Sequence, residues 1–235
     1  MTKNTLKVHQ ILDKFVQGVV KDLSNSLLVV GSAGTGKTEG ILSSLKKLKL
    51  QENRHFKYLN SYSSPLEFYH LLEDVNELEK PRLLVLDDAE EFIHNKRILS
   101  LLRSSLWGNL EGKRIVHWIS PRTENHSFEF NGKIIILLNE LNLNNSLIRA
   151  LISRGFFYNL KLTRQEISDL IQERAKVPYK NLSFKQRKKI ANFLIEEGNK
   201  GKKLNLRTFP LAMNLFLLSP NHYQRLISEL LSKNY

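Results

Sequence analysis

Read for hydrophobic periodicity, the chain divides near residue 161. Before that point, short apolar runs alternate with amphipathic stretches. The runs are SLLVVG (26–31), HFKYLN (55–60), RLLVLDD (82–88), RIVHWIS (114–120) and KIIILLN (133–139). They are apolar on consecutive positions, several are rich in β-branched residues, and polar or turn residues bound them. Strands covered on both faces of a parallel sheet read this way. Between them, TEGILSSLKKLKL and NKRILSLLRSSL place apolar residues at helical spacing, as does the opening LKVHQILDKFVQGVV. This alternation predicts an α/β domain over residues 1–160 with a parallel five-stranded sheet.

After 161 the pattern is wholly helical. Thr163 with Glu166, and Ser183 with Gln186, have the spacing of capping boxes, in which each end of the pair satisfies a free backbone N–H. Pro178 closes the first helix, Gly198 is expected to stop the second, and Pro220 separates the last two. Residues 161–235 are thus expected to form a small all-helical domain.

Composition narrows the class. With 41% hydrophobic residues the chain can bury a core, and the absence of cysteine excludes disulfides and thiolate metal sites. No uncharged run approaches the ~20 residues that span a bilayer, and no signal-peptide stretch opens the chain, so a soluble cytoplasmic protein is expected. The formal charge of +13 is unevenly spread: residues 161–235 hold 15 Lys/Arg against 6 Asp/Glu, the rest 21 against 17. KQRKK (185–189) and NKGKK (199–203) concentrate it. Either these clusters form a solvated face or they meet a polyanion.

The chemistry begins at Gly31, Ser32, Ala33, Gly34, Thr35, Gly36, Lys37 and Thr38, which fit the pattern G-x-x-x-x-G-K-[ST]. The glycines let backbone N–H groups wrap a phosphate chain, and the following helix adds its positive N-terminus. Lys37 can reach the β- and γ-phosphates, and the Thr38 hydroxyl can ligate Mg²⁺. The loop follows a predicted strand and opens a predicted helix, the context that a nucleotide site requires. Asp87 ends the apolar run of 83–86, where its carboxylate can complete the Mg²⁺ shell. Asp88 is the nearest group able to orient or deprotonate an attacking water, with Glu90 and Glu91 behind it. Asn139 ends another apolar run and could hydrogen-bond that water or the γ-phosphate. Arg149 and Arg154 follow in SLIRALISRGFF, and Arg207 opens a helix of the last third. The seven histidines show neither HExxH nor paired spacing, and Trp118, inside a strand pattern, reads as core.

In this order the parts resemble the AAA+ ATPase family: phosphate loop, acidic strand end, polar strand end, Ser-Arg, then a helical lid with its own arginine. ALISRG resembles the Ser-Arg-Cys motif of clamp-loader subunits, with Gly155 in place of cysteine. SSPLEFYHLLED, DDAEEF, KRIVHWIS and FEFNGKIIILLNEL together resemble small AAA+ proteins of phages and mobile elements. The resemblance implies a P-loop core with a helical lid. It also implies ATP and Mg²⁺ as ligands, Asp88 at the position usually held by a glutamate, Asn139 as first sensor and Arg207 as second sensor. Arg154 would be a finger reaching a neighbouring subunit's site, with Arg149 as its substitute. An arginine supplied between subunits implies a homo-oligomer, most simply a hexamer. Aspartate is one methylene shorter than glutamate, so slow hydrolysis, or substitution by Glu90 or Glu91, is expected.

For the client, the second strand leads into LNSYSSPLEF (59–68), whose Tyr62 stands among serines, and the segment SPRTENHSF (120–128) precedes the sensor strand. The aromatic–apolar–glycine pattern of protein-threading loops is absent. The basic last third favours a nucleic-acid backbone bound without sequence preference. The expected function is an oligomeric AAA+ ATPase working on DNA. A remodeller of protein assemblies with a protein client, and an ATP-gated scaffold with little turnover, are the alternatives.

Overall fold

The computed structural model describes residues 3–60, 62–119, 125–141 and 146–232. They group into two compact units: Gln10–Ser32 with Lys37–Leu160, and Lys161–Tyr235 with Met1–His9 and Ala33–Gly36.

The first unit is built on five parallel strands: β1 (Ser26–Val30), β2 (Phe56–Leu59), β3 (Leu83–Leu86), β6 (Lys133–Leu138) and β7 (Phe156–Asn159). Their order is β2-β3-β6-β1-β7. Every residue of β1, β3 and β6 is buried, which explains their unbroken apolar sequences. Helix α1 (Lys3–Val20) precedes β1, and α2 (Lys37–Lys47), α3 (Pro65–Asn76), α4 (Glu90–His94), α5 (Lys96–Leu106) and α6 (Ser146–Ile152) lie in the connections between strands. The second half of α1 packs by Phe15 on Phe156 and Tyr158 of the edge strand, with ring centroids 5.4 Å apart in both pairs. Asp13 of the same helix pairs with Lys47 of α2 at 2.7 Å.

One expected strand goes elsewhere. RIVHWIS supplies β4 (Ile115–Trp118), which leaves the main sheet and pairs antiparallel with β5 (His126–Glu129). Only Val116 of β4 is buried, so this strand has one covered face and suits a two-stranded hairpin. Trp118 packs against Tyr69 at 5.9 Å, as expected of a core side chain. The fifth parallel strand is instead the short β7. The expected segment 120–128 falls partly outside the described residues.

The second unit holds α7 (Arg164–Lys176), α8 (Phe184–Asn199), α9 (Thr208–Leu218) and α10 (Tyr223–Ser232) around its own apolar cluster. Both expected capping boxes form, at Thr163/Glu166 and Ser183/Gln186. Gly198 does not stop α8: it lies within the helix, where a Cβ would collide with Leu204, and the chain turns at Gly201 with φ +96°. The basic clusters are partly structural. Arg187 is buried and donates to the carbonyls of Ala175 and Leu182. Lys200 and Lys202 both bind the buried Glu197, at 2.7 and 2.5 Å, and Ser228 of α10 donates to it at 3.1 Å. These hydrogen bonds pull the Glu197 carboxyl down to about 2 against the opposing effect of burial. Lys185, Lys188 and Lys189 remain exposed. No helix among the described residues is long and apolar enough to cross a membrane.

Candidate active site

Parallel pairing brings the carboxyl ends of β3, β6 and β1 side by side, where ligands of open α/β sheets bind. Val30 is in register with Leu138 and Leu86 with Ile136, so the residues just after each strand share one edge. Those residues are Gly31, Asp87 and Asn139. Backbone bonds hold the turns: Gly31 N donates to Leu138 O at 3.0 Å, and Ala89 N to Leu137 O at 3.1 Å.

Two hydrogen-bonded groups form there. In the first, the Thr38 hydroxyl and the Tyr58 phenol both donate to Oδ2 of the buried Asp87, each at 2.7 Å, while Oδ1 accepts from Asp88 N at 3.1 Å. Tyr58 was not a candidate from the sequence; it reaches Asp87 because β2 lies beside β3, with Tyr58 opposite Val85. Burial, then the Asp87 carboxylate, push the Tyr58 hydroxyl above the ordinary phenol range, so it remains a donor.

In the second group Lys37, itself buried, donates to Gly31 O at 2.5 Å and to Asn139 Oδ1 at 3.0 Å. Asn139 Nδ2 then donates to Asp88 Oδ1 at 2.9 Å. Asn139 therefore links the lysine to Asp88. Glu90 is already engaged, accepting from Asn139 N at 2.5 Å, so it buttresses the end of β6, whereas Glu91 is exposed on α4. Asp88 has φ +48°. Aspartate tolerates this left-handed backbone better than longer side chains do.

Ala33–Gly36 cluster with the helical unit. Gly34 and Gly36 take positive φ (+78° and +84°), as a phosphate-wrapping loop requires. Gly34 O accepts from Leu206 N at 2.8 Å, and Cβ atoms there would meet Asn205 at 2.7 Å. Arg207 is exposed at the N-terminus of α9, where Asn205 Oδ1 accepts from its backbone N at 2.8 Å. A second guanidinium, Arg174, was not singled out from the sequence. Its Nη1 donates to Leu206 O at 3.0 Å, and its Nη2 lies 3.9 Å from where a Gly36 Cβ would stand.

Arg154 lies at the other end of the sheet. Phe156, two residues on, pairs with Leu27 at the start of β1. The Arg154 guanidinium sits over the Trp107 ring at 4.1 Å. A side chain at Gly155 would collide with Ser26 Oγ. Arg149 is exposed on α6, and Tyr62 is 70% exposed.

No protein-family model matches the chain. It is 24% identical over 239 residues to an uncharacterized 36.7 kDa protein from the nrdC-mobD intergenic region of Enterobacteria phage T4, covering 94% of this chain and 72% of that one. Among solved structures, Caenorhabditis elegans PCH-2 superposes with a TM-score of 0.54 at 13% identity, over 99% of this chain and 69% of the other. A DNA replication initiation factor gives 0.50 at 19% identity, over 93% and 62%. The sheet order, the residues at its strand ends and these likenesses together show that the chain has the fold of AAA+ ATPases.

Proposed function

We propose that the chain is an oligomeric, Mg²⁺-dependent AAA+ ATPase that acts on DNA. The observation that carries the reading is the pair of hydrogen-bonded groups joining Lys37, Thr38, Asp87, Asp88 and Asn139 at three adjacent strand ends. Phosphate oxygens compete well for Lys37, because a charged acceptor binds an ammonium more strongly than the carbonyl and amide oxygens it now contacts. Thr38 and Asp87 are hard oxygen donors with 2.7 Å between them, which fits Mg²⁺. When bound there, the ion neutralises charge on the β- and γ-phosphates. Gly31–Gly36 wrap the phosphates, and Asp88, steadied by Asn139, accepts a proton from water. That water bonds to the γ-phosphorus while the bridge to the β-phosphate breaks, releasing ADP. Arg207 is the lid arginine that the resemblance implies, and Arg174 joins it as a candidate by its place beside Gly36.

Arg154 acts on a neighbouring copy. β7 runs parallel to β1, so Arg154 precedes the strand at the end opposite the phosphate loop. Leu27 and Gly31 are separated by about 13 Å at ~3.3 Å per residue. That distance, with the guanidinium held over Trp107, keeps it from its own nucleotide and supports a ring, most simply a hexamer.

Lys185, Lys188 and Lys189 support a DNA backbone as client, as does likeness to a DNA replication initiation factor. The protein-assembly remodeller remains the second reading, since basic side chains also fit acidic protein surfaces. The test is steady-state ATPase activity with and without single- and double-stranded DNA across a salt series. Stimulation that fades as salt rises is expected. Turnover indifferent to DNA would shift the client to a protein, and unchanged ATP affinity in Lys37→Ala would overturn the nucleotide site itself. ATP bound tightly without turnover would instead support the gated scaffold.

A further inference from the structure

The β4–β5 hairpin has one covered edge and one open edge. Its strands run antiparallel with Val116 opposite Phe128, and Phe130 N donates to Arg114 O at 2.7 Å. Arg114 and Val116 therefore turn their backbone groups toward β5, while Lys113, Ile115 and His117 turn theirs away from it. On the β5 side, Asn76 of α3 covers the outward carbonyl of Glu129 at 2.7 Å, and its Oδ1 accepts from Asn131 N at 2.8 Å. On the β4 side, Asn109 covers only the start. Its N donates to Lys113 O at 2.7 Å, and its Oδ1 accepts from Lys113 N at 3.0 Å. Beyond that point the N–H and C=O groups of Ile115 and His117 have no hydrogen-bond partner among the described residues. This edge borders an open cavity of about 450 Å³, lined by Arg103, Trp107, Lys113, Ile115 and His117 among others, with no carboxylate in its wall. Lys113 does pair with Glu111 at 3.2 Å, but both side chains are more than half exposed, so water competes well with that pair. Arg103 Nε and Trp107 Nε1 are buried without an acceptor.

We propose that the free edge of β4 docks an extended acidic peptide of a partner protein, which adds as a third strand and sets its carboxylates against Arg103 and Lys113. A two-stranded ribbon is marginal by itself, and an unpaired edge is a template for a further strand. The edge offers both N–H donors and C=O acceptors. A peptide backbone answers both, whereas a phosphodiester backbone carries acceptors alone and would leave the carbonyls of Ile115 and His117 unmatched. Two copies of the chain paired edge to edge would bring Arg103 and Lys113 of each toward those of the other, which like charge opposes. Side chains alternate between the faces of a strand, so every second residue of the added peptide shares the face of Ile115 and His117 and reaches the cavity. Carboxylates at those positions meet the two cations and bring acceptors to a wall that is short of them. The proposal does not depend on the nucleotide site.

The test uses the full chain and a fluorescein-labelled heptapeptide alternating valine and glutamate, followed by fluorescence anisotropy. Saturable binding that weakens as salt rises is expected. The same peptide with lysine in place of glutamate should bind about tenfold more weakly or worse. One N-methylated at alternate amides, which cannot complete the ladder, should not bind. His117→Pro removes an outward N–H and leaves the bonds to β5 intact, a change that edge strands tolerate. It should weaken the glutamate peptide about fivefold or more without lowering the melting temperature. Arg103→Ala combined with Lys113→Ala should also weaken binding and flatten its salt dependence. No saturable binding of the glutamate peptide, or equal binding of the lysine or N-methylated peptide, would overturn the proposal. Displacement of the peptide by oligothymidylate, with oligothymidylate binding itself lost in the Arg103→Ala, Lys113→Ala chain, would assign the cationic wall to nucleic acid. A dimer of the chain that His117→Pro dissociates would assign the edge to a second copy. Either of these results would overturn it as well.

Discussion

At the carboxyl ends of β1, β3 and β6, each charged group has a partner: Lys37 with Asn139 and Gly31, Asp87 with Thr38 and Tyr58, Asp88 with Asn139. At the opposite end of the same sheet, Arg103 and Arg154 lie over one indole ring and have no carboxylate partner among the described residues. The first arrangement is already organised by internal hydrogen bonds, and in the proposed function Lys37 would exchange a few neutral acceptors for phosphate. The second keeps positive charge uncompensated, which is tolerable at a surface and useful where the matching charge is brought by another molecule. Paired and unpaired charge thus sit at the two ends of one sheet, and the proposed oligomer would bring them together.

The largest expected effect comes from breaking the incomplete end. Arg154→Ala should lower ATP turnover by about 10³-fold or more with ATP affinity retained in equilibrium binding. Unchanged turnover would mean that the two ends act independently. At the complete end, Asp88→Asn should lower single-turnover hydrolysis by about 10²-fold, again without weakening ATP binding. An equal loss of affinity would show that Asp88 acts in binding rather than in proton transfer. Tyr58→Phe removes one of two donors to Asp87 Oδ2 and should weaken Mg²⁺ by about 5- to 10-fold, a net hydrogen bond of ~1 kcal/mol. Titrating Mg²⁺ against binding of a fluorescent ATP analogue reads this, and affinity measured in EDTA should stay the same.

The smallest effect compares paired charge outside the site. Glu197→Gln should cost about 2 kcal/mol of stability at pH 7, read by denaturant unfolding. Because the folded Glu197 carboxyl is pulled down to about 2, its contribution is complete above the ordinary carboxylate range. It should fade as pH falls through that range toward 2, so the gap between wild type and variant should close there. Constant separation of the two down to pH 2 would show that Glu197 is not held by its lysines.

Much of this was legible along the chain. A strand buried on both faces needs consecutive apolar residues, so β1, β3 and β6 stand out, and parallel strands deliver the residues after them to one edge. Gly31–Thr38, Asp87 and Asn139 were therefore placed by local pattern alone. Capping boxes were equally local. What escaped depends on contacts distant in sequence. Tyr58 becomes a partner of Asp87 only once β2 is set beside β3, and β4 departs from the sheet because its faces differ. Arg187, Lys200 and Lys202 look like parts of a basic face until Glu197 and two backbone carbonyls are brought against them. Trp107 gave no periodic signal; its meaning comes from two arginines 4 and 47 positions away.

The close approach of Gly155 to Ser26 binds together two sites far apart in the gene. A side chain at 155 would need space now filled by the serine hydroxyl and by its backbone oxygen, 3.0 Å from the added atom. Variation at the two positions is therefore coupled: a lineage acquiring alanine or cysteine beside the arginine must first shrink or shift the residue that opens β1. Drift at Ser26 toward a larger side chain would likewise press on the turn that carries Arg154. Inheritance at this corner should proceed in pairs, with the order of the two changes deciding which intermediates survive.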